Sequence, residues 1–178
     1  IYGVSGKNYI DGGAGNDLIY SGTEADKLFG GTGNDTFRGT TAGSFAGDVI
    51  DGGNETDGIN VTGRGSDTVD YSLVDTSSFS KGLELTLNDT VVSTVTINGV
   101  NTHTIVNIEN IIGTSHNDSI VGDGGNNTLI GGTGADTIRG TAGNNVIYGD
   151  NENGSEANIA GNNDLIYAGI GDDKIYAG

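Results

Sequence analysis

The sequence contains no cysteine, proline, methionine or tryptophan, and only seven lysines and arginines among its 178 residues. Without cysteine there is no disulfide scaffold, iron–sulfur site or thiolate zinc site. No run of 18 apolar residues occurs, so no transmembrane segment is expected. Two histidines, His103 and His116, leave little material for transition-metal or acid–base chemistry. The 24 acidic residues bring the net charge to −17. That balance argues against nucleic acid as a partner, which needs a basic footprint, and points to cations. The sequence does not open with Met or with the basic, apolar and small segments of a signal peptide, so an excerpt of a longer protein is expected.

Glycine is in excess, with 34 residues, about 19 % against a usual figure near 7 %. Leu, Ile, Val and Phe total 42, and 30 of these are the β-branched Ile and Val that suit a pleated surface. The glycines are periodic. Gly12-Gly-Ala-Gly-Asn-Asp-Leu-Ile-Tyr20, Gly30-Gly-Thr-Gly-Asn-Asp-Thr-Phe-Arg38 and Gly131-Gly-Thr-Gly-Ala-Asp-Thr-Ile-Arg139 share the nine-residue pattern G-G-x-G-x-D-x-U-x, with U a large apolar residue. Looser copies fill the intervals: Ser21–Phe29, Gly52–Asn60, Thr62–Asp70, Gly113–Val121, Gly122–Ile130, Gly140–Tyr148 and Ala168–Tyr176. The sixth position reads Asn8, Asp17, Asp26, Asp35, Asp48, Asp57, Asp67, Asp118, Asn127, Asp136, Asn145, Asp164 and Asp173, and the residue two places later is apolar every time.

This beat has a physical reading. A three-residue strand x-U-x sends one side chain inward, because side chains alternate across a strand. The six residues before it turn the chain back, with glycine supplying positive φ and close backbone approach. Two such units make an 18-residue coil, and stacked coils pair their strands in parallel about 4.8 Å apart around a slender core. That core is expected to have no room for large aromatics. Turns 18 residues apart then lie over one another, as do Asp17 with Asp35 and Asp118 with Asp136. Stacked carboxylates repel unless a hard divalent cation lies between them, held by carboxylate and turn-carbonyl oxygens; calcium suits such a flexible oxygen set better than magnesium. The bland alternative is a solvated acidic surface, which does not account for one register held across most of the chain.

These residues resemble the RTX (repeats-in-toxin, haemolysin-type) calcium-binding nonapeptide repeats, over roughly residues 1–70 and 113–178. The lead-in Val106-Asn-Ile-Glu-Asn-Ile-Ile-Gly-Thr114 is similar to the phrase that restarts an array in that family. The resemblance implies an all-β, right-handed parallel β-roll, export by a type I system, and folding only after export into calcium. It also implies calcium ligands at Asp17, Asp26, Asp35, Asp48, Asp57, Asp67, Asp118, Asp136, Asp164 and Asp173. Turn carbonyls near Gly12, Ala14, Gly30, Thr32, Gly131 and Thr133 would complete the sets. About five ions are expected in typical sandwiched sites, between Asp17/Asp35, Asp35/Asp57, Asp26/Asp48, Asp48/Asp67 and Asp118/Asp136. Asn127 and Asn145 put neutral amides where carboxylates are expected, so that edge is expected to bind calcium weakly or not at all. Extra residues around Thr40–Ala46 and Asn151–Ala160 are expected to bulge without breaking the roll.

The expected organisation is a first roll array at 1–70, a β-rich insertion at 71–112 and a second array at 113–178. Within the insertion Leu83–Leu87 alternates as a half-buried strand. Val91–Ile97 and Val100–Val106 flank Asn98-Gly99, a strong hairpin signal. The insertion either covers the roll or widens its coils; a spacer or edge cover is favoured over a binding face for sugar or protein.

No G-x-S-x-G elbow, H-E-x-x-H helix or P-loop occurs, so no enzyme activity is expected within these residues. His116 takes a turn position usually held by Gly, and His103 has no evident partner in the sequence. The expected function is a calcium-triggered extracellular folding module in a bacterial surface-layer or adhesin-type protein. Its expected partners are calcium and either copies of itself or other cell-surface components. The alternative is the folding module of a secreted protease, lipase or epimerase.

Overall fold

The computed structural model describes residues 1–39, 44–53, 65–74, 77–78, 80–99, 101–151 and 163–177, with the side chains of 101 and 102 left aside. Among these residues there are sixteen strands and no helix, hence none long and apolar enough to cross a membrane. The strands are β1 (Tyr9–Ala14), β2 (Leu18–Tyr20), β3 (Lys27–Thr32), β4 (Thr36–Arg38), β5 (Val49–Asp51), β6 (Thr68–Asp70), β7 (Leu83–Thr86) and β8 (Ser93–Ile97). They continue as β9 (Asn101–Val106), β10 (Asn110–Ile112), β11 (Ser119–Val121), β12 (Thr128–Ile130), β13 (Thr137–Arg139), β14 (Val146–Tyr148), β15 (Leu165–Tyr167) and β16 (Lys174–Tyr176).

Most strands are three residues long because the repeat leaves only x-U-x between turns. Apart from β7, β8 and β9, which share one sheet, successive strands alternate between two sheets, a nine-stranded one ordered β1-β3-β5-β9-β8-β7-β11-β13-β15 and a seven-stranded one ordered β2-β4-β6-β10-β12-β14-β16. Outside the β7–β8–β9 segment all pairing between strands is parallel. The fold is an all-β roll whose two sheets remain open at their ends.

The apolar residue of each strand faces the opposite sheet. Ile19, Leu28, Phe37, Ile50, Val69, Ile111, Ile120, Leu129, Ile138 and Ile147 are fully buried. They stack in register, as in the column Ile19, Phe37, Val69, Ile111, Leu129, Ile147 and Ile175. A slip of one residue would turn a whole strand's apolar side chain to water, so the core fixes the register. Phe37 shows that the narrow core does admit an aromatic ring. Replacing it with Ala should cost about 3–5 kcal/mol, measurable as a lower urea midpoint in saturating calcium.

The register survives every lengthened turn. Lys27 pairs with Val49, Thr36 with Thr68, and Thr137 with Leu165, although these pairs are more than 18 residues apart. One turn is split. Gly53 lies against the Gly31 carbonyl and Gly65 against the Gly33 carbonyl, so the turn opened by Gly52-Gly53 is completed by Gly65-Ser66-Asp67. Gly33 has φ +114, and the equivalent residue of the uninterrupted repeat would be Glu55, which would be strained in that conformation.

The β7–β8–β9 segment adds an antiparallel meander within the nine-stranded sheet. Asn98 and Gly99, in the connection between Ile97 and its partner Asn101, both have positive φ, 54° and 70°, a conformation that Asn and Gly adopt most readily. The meander lies between β5 and β11, whereas β6, β10 and β12 remain successive neighbours in the other sheet. It therefore widens one wall of the roll. The extra interior is filled by Leu83, Leu85, Leu87, Val95 and Ile97 and by an aromatic group of Phe45, Tyr71 and His103.

Candidate metal centre

Each coil has two turns. At the first edge the chain passes from the nine-stranded to the seven-stranded sheet, and at the second edge it returns. Parallel pairing places equivalent turn residues over one another. At the first edge this gives the row Asp17, Asp35, Asp67, Glu109, Asn127, Asn145 and Asp173. The second edge carries Asn8, Asp26 and Asp48 before the meander, with His103 of β9 next to Asp48 in register, and Asp118, Asp136 and Asp164 after it.

One hydrogen bond recurs down these rows: the main-chain N–H of a sixth-position residue donates to the side chain of its successor. Asp17 N donates to Asp35 Oδ1 at 2.8 Å, Asp35 N to Asp67 Oδ1 at 2.7 Å, and Asp67 N to Glu109 Oε2 at 2.9 Å. Asn8 N and Asp26 N donate likewise to Asp26 and Asp48, and Asp118 N and Asp136 N to Asp136 and Asp164, at 2.7–2.9 Å. Asn145 N donates to Asp173 Oδ1 at 2.8 Å.

Where a carboxylate accepts that bond through Oδ1, as at Asp35 and Asp136, its Oδ2 faces its own turn. The Oδ2 atoms of Asp17, Asp35 and Asp136 are buried without a hydrogen-bond partner. Each lies beside a glycine whose missing side chain keeps space open. A methyl group on Gly30 would meet Asp35 Oδ2 and the Gly52 carbonyl, and one on Gly131 would meet Asp136 Oδ2 and the Gly149 carbonyl. Gly12 stands in the same relation to Asp17 Oδ2 and the Gly30 carbonyl. An unpaired buried carboxylate oxygen facing a turn with a main-chain carbonyl nearby is costly without a counter-charge, and oxygen donors of this kind suit a calcium ion. Among the described residues no three His, Cys, Asp or Glu side chains converge, so an ion here would draw on main-chain carbonyls.

Proton affinities follow the same geometry. Burial pushes the Asp136 carboxyl up to about 7, with the charges of Asp118, Asp164 and Asp150 adding to the rise. Burial holds Asp118 at about 6 against opposing hydrogen bonds from Leu83 and Thr114. Asp35, Asp48 and Asp164 are raised first by burial and then by Asp17, Asp26 and Asp150 respectively.

The sequence profile described as the RTX calcium-binding nonapeptide repeat matches in four copies, at residues 2–37, 112–147, 130–153 and 160–178. These cover more than half of the chain. The chain belongs to the RTX calcium-binding repeat family. No curated protein matches it.

Two of the expected RTX pairings are corrected. Asp35 is followed by Asp67, not Asp57, and Asp48 is followed by His103, not Asp67. The cause is the split turn, which moves Asp67 to the first edge; Asp57 lies outside the described residues. The other candidates differ in how they are satisfied. Asp26 Oδ2 accepts from Gly22 N at 3.1 Å, Asp48 Oδ2 from Ser21 Oγ at 2.6 Å, and Asp118 Oδ2 from Thr114 N at 2.6 Å. Asp164 Oδ2 faces Gly149 and the Ala177 carbonyl in the manner of Asp136.

Glu109 and His103 are row members that a search for Asp passes over. Both stand two residues before a core apolar residue, Ile111 and Ile105, and that offset was the signal available. His103 does have a partner: its Nε2 lies 2.8 Å from the Tyr71 hydroxyl, and burial holds the ring's pKa down at about 3. A second ladder runs beside the acids. Asn34 N donates to Asn16 Oδ1, Ser66 N to Asn34 Oδ1, Ala135 N to Asn117 Oδ1, Asn144 N to Asn126 Oδ1 and Asp172 N to Asn144 Oδ1, at 2.7–3.0 Å. These neutral bonds tie neighbouring turns without an ion.

Proposed function

We propose that this calcium-binding β-roll is a folding switch: disordered when calcium is scarce, and rigid outside the cell as a structural part of a bacterial surface-layer or adhesin-type protein. The observation that carries the reading is the set of buried, unpartnered Oδ2 atoms at Asp17, Asp35 and Asp136, in a chain of net charge −17. Ordering a glycine-rich backbone is entropically expensive, and stacked carboxylates add repulsion. Extracellular calcium modules have dissociation constants on the order of 10⁻⁴–10⁻³ M. At a hundredfold excess of free ion each site contributes about 2.7 kcal/mol, and several sites act together. A cytosol poor in calcium would leave the chain unfolded and exportable by a type I system. In this reading the module carries no catalysis of its own; the acids serve the ions.

Far-UV circular dichroism during a calcium titration tests the switch, with magnesium as control. The expected result is a cooperative gain of β signal at sub-millimolar to millimolar calcium, absent with magnesium. The same β signal in chelator as in calcium would refute it.

A further inference from the structure

The first edge is acidic from Asp17 to Glu109 and then changes character at Asn127 and Asn145. Asn145 keeps the row's main-chain bond, since its Oδ1 accepts from Asn127 N at 3.0 Å. Its Nδ2 does what no carboxylate oxygen can. It donates into its own turn, 3.3 Å from the Gly140 carbonyl, 3.1 Å from that of Ala142 and 3.3 Å from that of Gly143. Gly140 and Ala142 hold the first and third turn positions, matching Gly12 and Ala14 or Gly131 and Thr133. A methyl group on Gly140 would meet Asn145 Nδ2 and the Ala168 carbonyl, just as one on Gly131 would meet Asp136 Oδ2 and the Gly149 carbonyl.

Asn127 is satisfied differently but as completely. Its Nδ2 donates to the Glu109 carbonyl at 2.9 Å and to Asp123 Oδ1 at 3.1 Å, while its Oδ1 accepts from Asp123 N at 3.1 Å. Asn8, the other neutral member of the rows, donates its Nδ2 to the Gly6 carbonyl at 2.8 Å. Thus Asp17, Asp35 and Asp136 each leave a buried oxygen unpartnered, and each sixth-position amide uses its NH2 group on nearby oxygens.

We propose that the Asn145 amide takes the place of a cation, with Asn127 closing the turn before it, so that this stretch of the first edge is built without calcium. The inference rests on the calcium reading above. An NH2 group supplies the positive hydrogens that turn carbonyls need and adds no net charge to be neutralised. The roll then has ion-dependent rows at Asp17–Asp67 and Asp118–Asp164, and an amide-closed stretch joining β12, β14 and β16. That stretch stays closed at any calcium concentration at which the roll is folded.

Calcium stoichiometry of the full chain, by equilibrium dialysis of the natural sequence, Asn145→Asp and Asn145→Ala, tests this. Asn145→Asp is expected to bind one more ion than the natural chain, and Asn145→Ala the same number. An equal count for the natural chain and Asn145→Asp, or an ion lost in Asn145→Ala, would overturn the inference while leaving the calcium reading intact. No uptake by any of the three would overturn both. A measurement on the natural chain alone guards against a variant that fails to fold. At saturating calcium the Asn145 side-chain amide protons should exchange slowly with solvent by NMR, and rapid exchange would also overturn the inference.

Discussion

Asp136→Asn should destabilise the roll in calcium and stabilise it in chelator. The carboxylate is buried, its Oδ1 is committed to Asp118 N at 2.7 Å and its Oδ2 has no partner. With calcium in hundredfold excess over its dissociation constant, losing that site removes about 2.7 kcal/mol. Without calcium the balance reverses. The amide keeps an Oδ1 to accept the Asp118 N–H, and its NH2 can donate to the turn carbonyls as Asn145 does. It also removes a carboxylate that burial and three neighbouring acids disfavour. The measurements are a urea titration in saturating calcium and a trimethylamine oxide refolding titration in chelator, where the osmolyte favours the compact state. The variant should unfold at lower urea in the first and fold at lower osmolyte in the second. Equal destabilisation under both conditions would mean that Asp136 is a packing residue and not an ion ligand.

Much of this architecture was legible because the nonapeptide states it locally. An apolar residue two places after an acid locates both a core position and a turn, and this held for Ile19, Leu28, Phe37, Ile50 and Val69. The neighbour relations Asp17 with Asp35 and Asp118 with Asp136 follow from uninterrupted 18-residue coils. What failed was counting through interruptions. Gly52–Asn60 reads as one more repeat, but the turn begun at Gly52 is finished by Gly65 and Asp67. Local pattern cannot reveal this, because the choice is made by which glycine fits over the Gly33 carbonyl in the preceding coil.

The same limit explains the rows. Glu109 carries the offset of the repeat without its aspartate, and its longer side chain still reaches Asp67 N at 2.9 Å. His103 has the offset too, yet it joins an aromatic group with Phe45 and Tyr71. Those partners lie far apart in sequence and meet only because the meander widens one wall. The fifth-position asparagines fall at an x of the pattern G-G-x-G-x-D-x-U-x, so the repeat assigns them no role. Their ladder depends on coils already stacked, a relation that no single repeat contains.

The stability of the roll should respond to acid in opposite directions with and without calcium. Asp118 and Asp136, held at about 6 and about 7 in the folded chain, return to the ordinary value of 3.8 on unfolding. The ion-free folded state therefore binds more protons than the unfolded chain across the window from about 7 down to 3.8. Stability rises as pH falls through it, by about 1.4 kcal/mol for each unit of difference in the ideal limit and less after solvent screening. His103 works against this. Its folded value of about 3 lies below the ordinary 6.5, so its contribution is full above 6.5 and is lost as pH falls toward 3. Between about 6.5 and 6 it offsets Asp136, and below about 6 the two acids outweigh it. In chelator the far-UV β signal at pH 5.5 should exceed that at pH 7.5. In fixed, near-saturating calcium the order inverts, because a proton on Asp136 or Asp118 removes the charge that holds the ion, and the urea midpoint should fall over the same interval. His103→Gln should steepen the acid gain in chelator and make the acid loss in calcium shallower, because the burial of His103 acts in both conditions. A β signal in chelator that declines from pH 7.5 to 5.5 would show that the buried carboxylates are stabilised in their charged form by the roll itself, and the ions would then not be needed to neutralise them.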